Sequence, residues 1–153
     1  MVELIVVVVI IGILSAIAIP SFNNAADKAK QKEASTLVAA YTKAAQAYYT
    51  EYSEGADAAG DLAEYISMTG CVDTDVSCKD EAPVAVAADA TTWNSPSGLY
   101  VITMSNASGF TRFAATPKTG FNGYGVSSCV NNGTGGTKLN EMRVKGAPKQ
   151  TNC

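Results

Sequence analysis

The side chains with the widest chemical reach in this sequence are four cysteines, a set of carboxylates and a cluster of tyrosines; histidine is absent altogether. Without histidine the commonest general base is missing, and no serine or cysteine hydrolase signature stands in for it. Cys71, Cys78, Cys129 and Cys153 lack both C-x-x-C spacing and histidine partners, which points away from zinc. Gly133-Thr134-Gly135-Gly136-Thr137-Lys138 looks superficially like a phosphate loop. Its lysine follows threonine instead of glycine, and Leu139 stands where Ser or Thr would meet magnesium. Asp73, Asp75, Asp80 and Glu81 lack the spacing of an EF-hand calcium loop and read as a solvated acidic loop. Tyr48, Tyr49 and Tyr52 invite an electron-conduction reading, but aromatic packing of a helix on a sheet is the stronger default. Asn106-Ala107-Ser108 and Asn132-Gly133-Thr134 match the glycosylation acceptor pattern, a signal of low specificity. Neither an enzyme nor a metal or cofactor site is expected.

One carboxylate has an unusual setting. Glu3 precedes sixteen residues, Leu4 to Ile19, that carry no charge and are interrupted only by Gly12 and Ser15; Pro20 closes the run. As a helix the run is about 24 Å long, somewhat short of a ~30 Å hydrocarbon core, a difference that Pro20, Phe22 and tilt make up. A membrane-embedded helix is the natural reading, because side chains this apolar gain greatly by leaving water. A carboxylate at the bilayer centre costs up to ~3 kcal/mol, and less toward the interface. Glu3 is therefore either a polar flank in the headgroup region or a group waiting for a positive charge from another chain. A cleaved signal peptide fits poorly: no basic segment precedes the run, and Ala16-Ile17-Ala18 leads straight into a proline and more helix.

The elements that must position these groups follow in order. Residues 1–22 form the apolar helix. Residues 21–54, rich in Ala, Lys, Gln and Glu, continue it amphipathically, with Leu37, Tyr41, Ala44, Ala45, Tyr48 and Tyr52 as the stripe for a globular head. Together they make one helix of about 50 residues, ~75 Å long. Lys28, Lys30 and Lys32 fall at the aqueous boundary, where anionic headgroups are within reach. Residues 55–97 read as a connecting region with a short helix near Asp61–Met68 and a low-complexity stretch at Ala82–Ala90. Residues 98–153 read as sheet: a hairpin of Leu99–Met104 and Phe110–Ala115 about a turn at Asn106–Gly109, a third strand Tyr124–Val130, a loop at Asn131–Gly136 and a short fourth strand at Met142–Val144. The expected class is α+β, a long N-terminal helix whose second half packs on a small antiparallel sheet. Four cysteines in an exported chain read as two disulfides, for which three connectivities exist.

The segment from Glu3 through Gly12 and Ser15-Ala16 to Pro20 closely resembles the N-terminus of type IV pilins, with the family's glutamate, glycine, Ser-Ala pair and proline at the family's spacing. The likeness in detail covers the first twenty-odd residues and is architectural beyond them. It implies a structural subunit of a helical homopolymer on the bacterial surface, held as a single-pass precursor in the inner membrane, freed of a leader, N-methylated and added to the filament by a separate ATPase machine. Within it Glu3 would neutralise the N-terminal amine of a neighbouring subunit. Gly12 to Pro20 would be either a segment that melts in the filament or a simple kink at the proline. Cys129–Cys153 would be the family's C-terminal bridge, and Cys71–Cys78 is the pairing expected beside it. One departure stands out: the family's glutamate lies two residues further from the processed N-terminus than Glu3 lies from Met1. No leader with its cleavage-site glycine precedes Met1, so the chain is expected to begin inside the mature protein or with its first residues imperfectly assigned.

Charge is segregated along the chain. Residues 1–50 carry a net +1, residues 51–89 carry ten acidic groups against Lys79, and residues 90–153 carry six basic groups against Glu141. Two solvated faces are the bland reading; in a polymer, the same segregation steers adjacent subunits together. Adhesion, twitching motility and DNA uptake are all family activities, and for DNA the basic set Arg112, Lys118, Lys138, Arg143, Lys145 and Lys149 is the first place to look. The alternatives are a pseudopilin of a type II secretion system and a monomeric membrane-tethered binding module.

Overall fold

A computed structural model describes residues 2–71, 82–149 and 153. Helix α1 runs without a break from Val2 to Tyr52, Pro20 included. Frequent alanine beyond Ile19 sustains it into the head, outweighing the β-branched Thr36, Val38, Thr42 and Thr50. Ser53 ends it in the left-handed conformation (φ 58°), its N–H donating to the Tyr49 carbonyl at 2.8 Å.

A 3-10 turn, Ala59–Leu62, follows, and then a two-stranded ribbon, β1 Thr69–Gly70 with β2 Val84–Ala85. The main sheet has five strands: β3 Thr92–Asn94, β4 Tyr100–Ala107, β5 Phe110–Pro117, β6 Val126–Asn131 and β7 Thr137–Glu141. Every neighbour is antiparallel and consecutive in the chain, so the sheet is a meander. Its central turn is Ser108-Gly109, both at positive φ, as a tight hairpin matched to strand twist requires.

The fold is α+β, a long helix on a small antiparallel sheet. Several local expectations shift. The third strand begins at Val126, since Tyr124 instead makes an isolated parallel bridge with Gly146. The last strand is Thr137–Glu141 and not Met142–Val144: an edge strand rich in Lys, Asn and Glu has low apparent β-propensity. The sheet also starts earlier than Gly98, with β3, and the expected short helix near Asp61–Met68 is the 3-10 turn Ala59–Leu62.

The core lies between α1 and the sheet. Ala34, Val38, Tyr41 and Ala45 recur along one face of α1, against Tyr100, Ile102 and Met104 of β4, Phe113 and Ala115 of β5 and Val126 and Val130 of β6. Tyr41 meets Trp93 edge-on (5.5 Å, 79°) and Phe113 at 6.0 Å. Tyr52, expected in this stripe, is 49% exposed.

β6 departs from the alternation expected of a strand with one wet face: Val126 through Val130 are all buried. Val126, Ser128 and Val130 face the helix, Ser128 sharing a 2.6 Å hydrogen bond with Thr42. The returning C-terminal segment covers the other face. Ser127 Oγ donates to the Lys149 carbonyl at 3.0 Å, and Cys129 is bonded to Cys153.

Candidate functional site

Among the described residues the first half of α1 packs against no other element. Val2, Leu4, every large apolar residue from Ile5 to Ile19, and Phe22 are exposed, and Gln31 is the first buried residue of the helix. Glu3 sits in the first turn of this segment. Gly12 lies mid-way along it with open space where a side chain would be, and Pro20 is carried inside the helix. Fourteen uncovered large apolar side chains, at ~1.5–3 kcal/mol each when buried, represent a driving force on the order of 20–40 kcal/mol for leaving water. Among the described residues α1 is the one helix long and apolar enough to cross a membrane. Chemically the segment can do two things: dissolve in a bilayer, or bundle with other such helices.

Where α1 enters the head, a polar clasp holds it to the segment after β7. Gln31 Nε2 donates to the Met142 and Gly125 carbonyls at 2.8 and 3.3 Å. Glu141 accepts from Lys32 at 2.8 Å and from Ser35 Oγ at 2.5 Å. Lys145 Nζ donates to Asp27 at 2.5 Å and lies over the Tyr124 ring, while Lys30 lies 5.0 Å from the Phe121 centroid. The bonds from Lys32 and then Ser35 hold the Glu141 carboxyl below its ordinary range, and Asp27 raises Lys145 above its own. Burial, reinforced by Glu33 and Asp27, pushes the Tyr100 phenol up to about 12. Sequence alone does not single out Asp27 or Gln31, and it shows Glu141 only as a charge and not as a contact. A signal existed for the last: Glu141 is the sole acid among the six basic groups of residues 90–153.

The other sequence candidates are placed as follows. The Cys129–Cys153 bridge is present, spanning 24 residues of chain and fixing the C-terminus to the outer face of β6. Cys71 is also disulfide-bonded, and Cys78 lies outside the described residues, as do Asp73, Asp75, Asp80 and Glu81. The Gly133–Lys138 run turns β6 into β7, and its N–H groups are spent on the turn itself. Gly133 and Thr134 donate to Asn131 Oδ1, and Gly135 to the Asn131 carbonyl, which leaves no nest for a phosphate. The two glycosylation-pattern asparagines bond each other: Asn132 Nδ2 donates to Asn106 Oδ1 at 2.9 Å, and Asn106 Nδ2 to the Gly55 carbonyl and Asp57. Their amides thus lock the helix-to-sheet connection. Tyr48 stacks with Tyr52 (4.7 Å) and meets Tyr65 edge-on at the far end of the head, and the Tyr65 hydroxyl donates to Glu51.

Over 62 residues the chain is 40% identical to the type IV major pilin protein PilA of Myxococcus xanthus. That stretch is 40% of this chain, and it spans only 28% of the relative's length. No family model matches the chain, and no solved structure does. The resemblance to type IV pilins holds in sequence over that stretch and in architecture, as a long N-terminal apolar helix with a β-sheet head.

Proposed function

We propose that this chain, pilin-like in sequence and in architecture, is a structural subunit that polymerises into a type IV pilus on the bacterial surface, with its apolar helices bundled in the filament core. The observation that carries the reading is the contrast within α1: a half with a complete packed head, and a half whose apolar residues are all bare. A lone anchor needs the bareness too, and would carry Glu3 only as a polar flank, whereas a polymer gives that carboxylate a partner.

Before assembly the apolar half resides in the inner membrane. Lipid tails are about as apolar as leucine, so moving the helix from bilayer to bundle gains little from hydrophobicity itself. Packing and charge then decide the transfer. Glu3 in hydrocarbon is costly, and a neighbour's N-terminal amine relieves that cost while fixing the axial register. Gly12 and Pro20 weaken the helix between them, glycine by ~1 kcal/mol of propensity and proline by a lost hydrogen bond and a steric clash. That makes the segment the place where α1 yields inside a filament.

The test is electron microscopy of filaments sheared from producing cells, with mass spectrometry of the subunit, for the wild type and for Glu3→Gln. Long thin filaments of this chain, lost or greatly reduced in the variant, are the expected result. Wild-type chains that stay in the membrane fraction with no filament outside would shift the reading to a tethered module or a pseudopilin.

A further inference from the structure

The two ends of the head along α1 differ in charge, with Arg112, which donates to the Ala107 carbonyl beside the Asn106–Asp57 contact, the basic residue nearest the acidic end. At the far end the chain from Glu51 to Cys71 carries five carboxylates and no basic residue. Glu51, Glu54, Asp57 and Glu64 of this crown are exposed; Asp61 is half-buried and turned inward to accept from the Asp57 and Ala58 N–H groups. The carboxylates are felt locally, since Glu51 and then Glu64 hold the exposed Tyr52 phenol above its ordinary value.

The near end, where α1 enters the head, is a collar of opposite sign. It gathers Lys28, Lys30 and Lys32 from the helix with Arg143 and Lys145 from beyond β7. Asp27, Glu33 and Glu141 lie at the same end, Glu141 and Asp27 pairing with Lys32 and Lys145, so the collar keeps a smaller net positive charge. Lys28 and Arg143 are exposed and make no ion pair among the described residues; with Lys32 and its partner Glu141 they line an open cavity of about 490 Å³ at the base of the head.

We infer that the acidic crown of one copy docks into the basic collar of a second copy of this chain. The inference rests on the polymer reading above. Helices that bundle through one shared apolar half lie parallel, so every crown points one way and every collar the other. The two surfaces then meet only between copies displaced along the axis by the crown-to-collar distance. From Lys30 to Ser53 of α1 that is about 35 Å at 1.5 Å per residue. The crown is the counter-charge supplied at the collar's own concentration in any assembly of this chain. Each exposed pair is weak and screened, so the contact selects register and orientation more than it supplies cohesion.

The experiment co-expresses tagged full-length variants with the wild type and measures each variant's share of sheared filaments by mass spectrometry. The collar variant is Lys28→Glu with Arg143→Glu; the crown variant is Glu54→Lys with Glu64→Lys. Thermal unfolding confirms that each head folds. With both surfaces altered in one chain expressed alone, complementarity between copies is restored. We expect each two-residue variant to fall about tenfold in filament share, equivalent to ~1.4 kcal/mol, and the four-residue chain to regain homopolymer filaments. Density of those filaments should show an axial displacement near 35 Å between crown and collar.

Equal incorporation of either two-residue variant overturns the inference while leaving the subunit reading intact. So does a collar defect that the crown change fails to rescue, which would mark an anionic lipid surface as the collar's partner. Absence of wild-type filaments would remove both readings together.

Discussion

At the scale of single residues, the clasp at Glu141 shows how a surface carboxylate acquires a structural task. It is partly exposed, so its pair with Lys32 is screened and contributes about 1 kcal/mol or less. Ser35 adds a neutral donor that salt does not screen. Folding lowers this carboxyl's pKa, so its stabilisation is complete above the open-chain value near 4.5 and is lost as pH falls below it. Glu141→Gln should cost up to about 1 kcal/mol at pH 7 and flatten the acid limb of the stability curve, as read by denaturant unfolding from pH 7 to pH 3. An unchanged acid limb would mean that other carboxylates govern it. Tyr48 and Tyr49 are taken up in packing contacts, the default expected of them over electron conduction. Tyr48 belongs to an aromatic stack at the crown, and Tyr49 lies against Gly135 of the β6–β7 turn.

At the scale of elements, α1 is two helices in one. The division falls near Ala25, because sixteen uncharged residues solvate only in lipid or in one another, whereas the Ala34-Val38-Tyr41-Ala45 stripe fills the head. Among the described residues none before Gln31 is buried. Deleting residues 1–24 should therefore yield a soluble head that melts within a few degrees of a detergent-held full-length chain, followed by circular dichroism. A molten product would show that the apolar half also supports the fold. The hairpin was legible because Asn106-Ala107-Ser108-Gly109 sits between two β-rich runs and turn chemistry is local. β7 was illegible because its residues carry the charges of an edge, not the pattern of a core strand.

For the molecule as a whole, the decisive feature is how its end returns. The chain leaves β7, passes the base of α1 at Met142 and Lys145, crosses the outer face of β6 and is bonded to it at Cys129. That path gives the sheet a second cover and brings the basic end of the chain to the helix's point of entry. Replacing both Cys129 and Cys153 with serine should cost ~3 kcal/mol in the chain-entropy picture, measured by denaturant unfolding. It should also speed proteolysis after Glu141 in the native state. A loss below about 1 kcal/mol would mean that the tail holds its place without the bridge.

Composition alone determined the apolar helix, the solvated lysines behind it and the segregation of charge, because each is a property of neighbours in sequence. Hydrophobic periodicity was enough for the amphipathic stripe and for an α+β class. The tertiary structure decided what depends on register between distant segments. Lys145 meets Asp27 across 118 residues, Ser35 meets Glu141 across 106, and Asn132 meets Asn106 through the pairing of three strands. Glu141 stands out as the sole acid of its stretch, and Asn106 and Asn132 sit in acceptor patterns, but type and spacing do not mark which partner each one meets. The burial of β6 on both faces belongs here too: alternation predicts a wet outer face for Ser127 and Cys129, and only the path of the returning tail makes it dry.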